Sequence, residues 1–234
     1  HLETIPEKYR HKAVVVYVGA SQEWHAAATE RPADAVSTST VPSADDESGP
    51  LKVVFYGLYT PLQGTPVIGE ALGRIAGAPV EVTMIGRGQD EAATKLAAAA
   101  NASVRWLDWV PARELPALVA AHDVCLGIFG TSDKALRVVP NKVFQGAAAG
   151  CAIITSDTAP QRRVLGTVPL ESGAVLVPPG DPAALADALL QLAADRDHLL
   201  KLRHAARQLA AQRFTPEQVV APLTDRLLPQ HARP

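Results

Sequence analysis

Cysteine is scarce in this chain: Cys125 and Cys151 are the only two among 234 residues. Each lies in or beside an apolar run, so buried reduced thiols are expected rather than a zinc site or a disulfide framework. The seven histidines are scattered, with no pair at ligand spacing, and no protein-bound metal is expected. Excess charge is lacking as well. A formal net charge of −2 provides no basic field, so a nucleic-acid partner is not expected. Any bound anion must be held by a local cluster or by backbone amides. No apolar run is long enough to span a bilayer and no signal peptide precedes the fold, which leads to the expectation of a soluble, cytoplasmic protein with no support for membrane contact. The chain opens on His1 rather than Met, as a trimmed fragment would.

Aromatic residues make up only 5% of a chain whose apolar fraction is 47%. That apolar content is Ala, Val and Leu, which suits helices packed on a sheet. The length accommodates one large domain or two small ones.

The run Val14-Val15-Val16-Tyr17-Val18 predicts a buried strand ending at Gly19. A loop-like stretch follows from about Ser21 to Pro50. Its core, Ala35 to Pro50, is Ser, Thr, Asp and Pro with almost no large apolar residue, the composition of a flexible linker. From Leu51 a regular alternation begins. Strands are predicted at Leu51–Gly57, Glu81–Gly86, Val104–Leu107, Asp123–Phe129, Ala152–Ser156 and Ala174–Val177. Helical periodicity fills the gaps at Val67–Ile75, Glu91–Ala100, Pro111–Ala121, Asn141–Ala149 and Pro160–Leu165. Alternating strands and helices imply βαβ units. The expected fold is α/β, a Rossmann-like doubly wound parallel sheet of about six strands with helices on both faces. A helical tail follows, opened by Asp181 as N-cap and Pro182 at the first helical position.

Ligands of such sheets bind outside the carboxyl ends of the strands, so the loops there hold the candidates. After the first strand, Gly57 to Gly64 allows close backbone approach to a phosphate; an ordinary tight turn is the other reading. It is not the G-x-G-x-x-G of nicotinamide cofactors. Gly86-Arg87-Gly88 follows the second strand. After the third, Trp106 and Trp109 flank Asp108, either as a wall for a base or as packing residues. The fourth loop carries Lys134, Arg137 and Lys142 within nine residues and ends at the helix start Pro140-Asn141. Cations beside free helical N–H groups make a diphosphate site, and Gln145, one turn in, is placed for a ribose hydroxyl. Ser156-Asp157-Thr158 is either a polar edge of the same cleft or the cap of the next helix.

From Leu51 to about Leu228 the chain resembles the C-terminal, donor-binding domain of group 1 (family 4-like) glycosyltransferases with the GT-B fold. The landmarks stand in the family's order: Val54-Phe55-Tyr56-Gly57, Ile85-Gly86-Arg87-Gly88, Val110-Pro111 with Glu114-Leu115-Pro116, Ala121-His122-Asp123-Val124, the Phe144–Gly150 helix, and Val177-Pro178-Pro179-Gly180-Asp181. The resemblance implies three parts: residues 1–20 as the remnant of an N-terminal acceptor domain, 21–50 as linker, and 51–234 as the donor domain. It implies a metal-independent, hexosyltransferase-like enzyme whose substrate is a nucleoside-diphosphate sugar such as a UDP- or GDP-sugar, with no cofactor. The acceptor domain is the missing partner and would hold any acceptor-side base, so the chain alone is expected to be inactive. Gly57, Gln63, Gly64, Lys134, Arg137, Asn141 and Lys142 are the implied phosphate-binding residues. Gly86, Arg87, Gly88, Asp108, Trp109 and Gln145 are those implied for base and ribose.

The chain departs from the family at two places. Leu58 and Gln63 stand where the first loop usually carries Arg and Lys, and Arg137 and Gln145 stand where the fourth usually carries two Glu. Bases lost at one loop and gained at the opposing one lead to the expectation that phosphate neutralisation has moved to Lys134, Arg137 and Lys142. A non-catalytic nucleotide-sugar-binding module acting with a partner is the alternative. A sugar epimerase fits less well, because no acid/base carboxylate pair stands at the cleft.

Overall fold

The computed structural model describes residues 5–29 and 49–227. It opens with a single helical turn, α1 (Glu7–Arg10), then an extended stretch and α2 (Gln22–Thr29). The alternation follows as β1 (Leu51–Tyr56), α3 (Thr65–Arg74), β2 (Val80–Ile85), α4 (Glu91–Ala97), β3 (Val104–Leu107), α5 (Leu115–Ala120) and β4 (Val124–Leu126). It continues with α6 (Asn141–Ala148), β5 (Ala152–Ser156), α7 (Ala159–Leu165), α8 (Pro169–Ser172) and β6 (Ala174–Val177). Three helices close the described chain: α9 (Pro182–Ala194), α10 (Arg196–Arg213) and α11 (Pro216–Leu227).

The six strands form one parallel sheet in the order β3-β2-β1-β4-β5-β6. This is the doubly wound arrangement expected from the alternation, and its order reverses between β1 and β4. Crossover helices there leave on opposite faces, which opens a crevice at the carboxyl ends of those two strands.

β1 shows why the strands are continuous apolar runs. Leu51, Val53 and Phe55 enter one buried cluster with α3 and α9. Val54 and Tyr56 enter the other, with α2, α5 and α6. A strand covered on both faces has no wet side to alternate toward, and each fully buried Val, Leu or Phe contributes about 1.5–3 kcal/mol. The tail begins as its sequence predicts. The Asp181 carboxylate accepts from the amides of Ala183 and Ala184, both at 3.0 Å, and Pro182 opens the helix.

The amino ends of the strands carry a buried charge cluster. The Asp123 carboxylate accepts from the Lys52 amide at 2.9 Å and lies 3.7 Å from the Arg203 guanidinium and 3.9 Å from that of Arg196. It ties α10 to the start of β4. No helix among the described residues is long and apolar enough to cross a membrane.

Two expectations are corrected. Val14–Val18 takes no place in the sheet, and Val15, Val16 and Val18 are exposed. Its apolar, β-branched composition does favour an extended backbone, but a strand also needs a ladder partner, and among the described residues it has none. The loop expected from Ser21 begins instead with α2. Trp24, Ala27 and Ala28 are its buried residues, a spacing of three and four that lays one helical face on the core. Residues 30–48, which include most of the Ala35–Pro50 segment, lie outside the described residues.

Candidate functional site

The crevice between β1 and β4 is built by backbone before any side chain enters it. The Phe129 amide donates to the Gln63 carbonyl at 2.9 Å, joining the loop after β1 to the loop after β4. Gly64, with φ of 66°, starts α3 in the left-handed region, and a Cβ there would overlap the backbone of Phe129 and Gly130. Only glycine meets both conditions. The loop after β2 is stitched in the same way. The Tyr59 amide donates to the Arg87 carbonyl at 2.9 Å, and the Tyr59 carbonyl accepts from Asp90 at 3.1 Å. A Cβ on Gly86 would overlap the Gly57 carbonyl, so the Gly86–Gly88 turn buttresses the first loop.

Of the three fourth-loop cations, Lys142 alone reaches the first loop. It is on the first turn of α6 and only 5% exposed. Its Nζ donates to Gln63 Oε1 at 2.6 Å and lies 3.7 Å from the centre of the Phe55 ring. A Cβ on Gly57 would stand 3.1 Å from the same nitrogen, so the glycine leaves that side of the amine open. Burial away from water disfavours the charged form and pulls this amine down from the ordinary lysine range to about 7. The neighbouring Cys125 thiol and Tyr56 phenol are pushed up by burial, so they supply no anion near neutral pH.

Lys134 and Arg137 are exposed. Arg137 pairs with Asp133 at 3.4 Å and borders a groove of about 610 Å³ that it shares with Val14–Val18, Phe144 and Val164. Exposed pairs of that kind contribute little to stability. Asn141, also exposed, is the first residue of α6.

Gln145 stands one turn further along α6, where its Oε1 accepts from the Tyr56 hydroxyl at 3.0 Å. The Tyr56 ring is stacked on Trp24 of α2, with centres 5.9 Å apart. Neither Tyr56 nor Trp24 was among the candidates from sequence. The position of Tyr56, last in β1 on the ligand edge of the sheet, was a usable signal. Trp24 had none, because its partner is thirty-two residues away in the sequence.

The remaining candidates lie at the ends of β2 and β3. Arg87 pairs with Asp108, both well exposed, and this bond holds the Asp108 carboxyl below its usual range. Trp109 is 75% exposed, whereas Trp106 packs against the core beneath Lys95. The two tryptophans therefore separate: one is a packing residue and one faces solvent. Thr158 is the N-cap of α7, accepting from Gln161, Ser156 donates to the Ile128 carbonyl, and Asp157 pairs with Arg162. These three groups are occupied by local structure.

The model of the family described as glycosyl transferases group 1 matches residues 50–195, most of the chain. The chain belongs to that family. Among curated relatives, a phosphatidyl-myo-inositol mannosyltransferase of Mycobacterium leprae is 33% identical over 175 residues. That alignment covers 72% of this chain but 44% of the relative, so this group 1 chain spans less than half of the mannosyltransferase's length. Three solved structures share its fold. The Anabaena Alr3699/HepE complex with UDP and glucose has a TM-score of 0.67 at 16% identity, covering 92% of this chain and 56% of that one. A glycosyltransferase from Rickettsia africae has a TM-score of 0.69 at 15% identity, covering 93% and 57%. The C-terminal domain of the group 1 protein LpcC from Francisella tularensis has a TM-score of 0.57 at 17% identity, covering 74% of this chain and 91% of that domain. The chain thus belongs to group 1 and shares the fold of that C-terminal domain.

Proposed function

We propose that this chain is the donor-binding half of a glycosyltransferase, holding a nucleoside-diphosphate sugar in the crevice between β1 and β4. The observation that carries the reading is the placement of Lys142 against Gly57 and Gln63 at the reversal of strand order. The HepE structures that share this fold hold UDP, with glucose or as UDP-glucose, which supports a UDP-sugar as the first donor to test. The loop of Gly57, Gln63 and Gly64 would face the diphosphate together with Lys142 and the first-turn amides of α6 at Asn141. Lys134 and Arg137 would add charge from the exposed side. Gly86, Arg87, Gly88, Asp108 and Trp109 would border the base, and Gln145 the ribose.

In the reaction the bond between the sugar's anomeric carbon and the diphosphate oxygen breaks, and an acceptor oxygen bonds to that carbon. Negative charge develops on the departing diphosphate. Preorganised N–H groups and a cation aimed at it lower the barrier. With Lys142 supplying charge, the transfer is read as metal-independent. The acceptor, and any base that removes its proton, belong to an N-terminal half. Residues 1–20 are read as the end of that half, 21–50 as the connection and 51–234 as the donor domain. Covering 91% of the LpcC C-terminal domain and 44% of the mannosyltransferase fits that division.

A second reading, a nucleotide-sugar-binding module without catalysis, is favoured by one observation. Gln145 has an amide already bonded to Tyr56 where the family resemblance places a carboxylate. Sugar transfer by a polypeptide that includes the acceptor half would remove this alternative.

The test is a thermal-shift panel of UDP-, GDP- and dTDP-sugars, with and without a chelator. A ligand that binds the folded chain raises its midpoint with the logarithm of its concentration. At least one class is expected to stabilise the chain, chelator or not, and Lys142→Ala with Arg137→Ala is expected to abolish the shift. A double variant with undiminished affinity would sink the assignment of the phosphate site.

A further inference from the structure

Lys142 is a buried amine with no carboxylate beside it. Its one strong partner is the neutral amide oxygen of Gln63 at 2.6 Å. The groups that face it from every side are also neutral: the Phe55 and Tyr56 rings of β1, at 3.7 and 5.9 Å from Nζ, the Gly57 backbone of the first loop, and the Cys125 thiol of β4. Among the described residues Lys142 makes no ion pair. A buried cation with no counter-charge is costly, so above neutral pH such an amine gains its charge when an anion arrives.

Resting on the crevice reading above, we infer that ligand binding and proton uptake are coupled at Lys142, so that an entering diphosphate is bound together with one proton. The proton comes from solvent and settles on Nζ; no covalent bond of the ligand changes. The open side of the amine, beside Gly57, is the side that faces the first loop. An anion there turns the cost of the charge into an attraction, since an opposite charge within about 4–6 Å favours the ionised form. The downward pull of burial on this amine sets the range where the coupling is visible, from just above neutral pH upward.

The experiment is titration calorimetry of the 234-residue chain with UDP, and with GDP as a second probe, at pH 8.0 in HEPES and in Tris. The difference in measured heat between buffers of different ionisation enthalpy counts the protons exchanged. The terminal phosphate of the nucleotide ionises near pH 6, so at pH 8.0 its own contribution is small. Uptake approaching one proton per ligand is expected for the wild type, and none for Lys142→Arg, which keeps the charge but cannot be neutralised. As an independent reading on the wild type alone, affinity is expected to fall about tenfold per pH unit between pH 8 and 9. Binding with no buffer dependence and no fall in affinity overturns the coupling while leaving the donor-site reading intact. Uptake that persists in Lys142→Arg overturns it too. Failure of the wild type to bind either nucleotide removes both.

Discussion

The hydroxyl of Tyr56, the last residue of β1, donates to Gln145 Oε1 of α6 at 3.0 Å, across 89 positions of sequence. Three elements meet at this bond, because the Tyr56 ring is itself stacked on Trp24 of α2. The bond also orients Gln145. With Oε1 committed to Tyr56, its amide nitrogen is the group left to donate to a ligand.

Removing that hydroxyl gives the first prediction. Tyr56→Phe is expected to lower stability by about 0.5–1.5 kcal/mol, the ordinary net worth of one hydrogen bond, and to weaken nucleotide binding several-fold by freeing Gln145. Urea unfolding and calorimetry separate the two effects. Unchanged affinity would show that Gln145 does not touch the ligand.

Gly64 closes the crevice, since its left-handed backbone and the overlap of any Cβ with Phe129 and Gly130 act together. Gly64→Ala is expected to cost about 2–4 kcal/mol in urea unfolding. Gly77, also left-handed but with nothing within 4 Å of an added Cβ, serves as the control: Gly77→Ala carries the backbone strain without the clash and is expected to cost less.

Stability should rise with pH above neutrality because of Lys142. Its folded-state value, about 7, lies below the ordinary lysine value of 10.5 in an unfolded chain. Between those values the unfolded chain binds more protons than the folded one, so raising the pH favours folding. Comparing pH 7.0 with pH 8.5, the wild type is expected to gain about 1–2 kcal/mol over Lys142→Met. Equal pH dependence in the two proteins would mean that Lys142 keeps an ordinary charge when buried.

At the opposite end of the sheet, Asp123→Ala removes the carboxylate that lies 3.7 Å from the buried Arg203 guanidinium. A cost of about 3–5 kcal/mol is expected, read as a lower urea midpoint. Nucleotide affinity in the remaining folded protein should not change, because Asp123 precedes β4 and the crevice lies beyond that strand's other end.

Strand and helix positions were legible in the order of residues wherever local physics decided them. Val104–Leu107, Ala152–Ser156 and Ala174–Val177 occupy the spans expected, because a strand buried on both faces needs an unbroken apolar run between turn residues. Asp181-Pro182 capped its helix because the capping bonds reach only two and three residues ahead. Val14–Val18 failed by the same measure. Its composition is that of a strand, but strand pairing is a property of two segments, and none of the described residues pairs with it. The helix at Gln22–Thr29 was missed because its eight residues hold only Trp24 and four alanines or threonines as apolar or small groups, too weak a periodicity without the surface it covers.

The candidate site divides along that line as well. Its place at the carboxyl ends of the strands, and its loops with their glycines and cations, follow from local sequence, since loop composition and the alternation of elements are local facts. Which of Lys134, Arg137 and Lys142 meets the first loop is not local. All three are cations within nine residues, yet only Lys142 is carried by α6 onto Gln63 and Phe55, where burial strips its water and changes its chemistry. The resemblance places two carboxylates and two first-loop bases where the chain carries Arg137, Gln145, Leu58 and Gln63. That Gln63 and Lys142 form a bonded pair, and Tyr56 and Gln145 another, was settled only when the sheet brought β1 and β4 side by side, because desolvation and hydrogen bonding act through space between segments that are 79 and 89 residues apart.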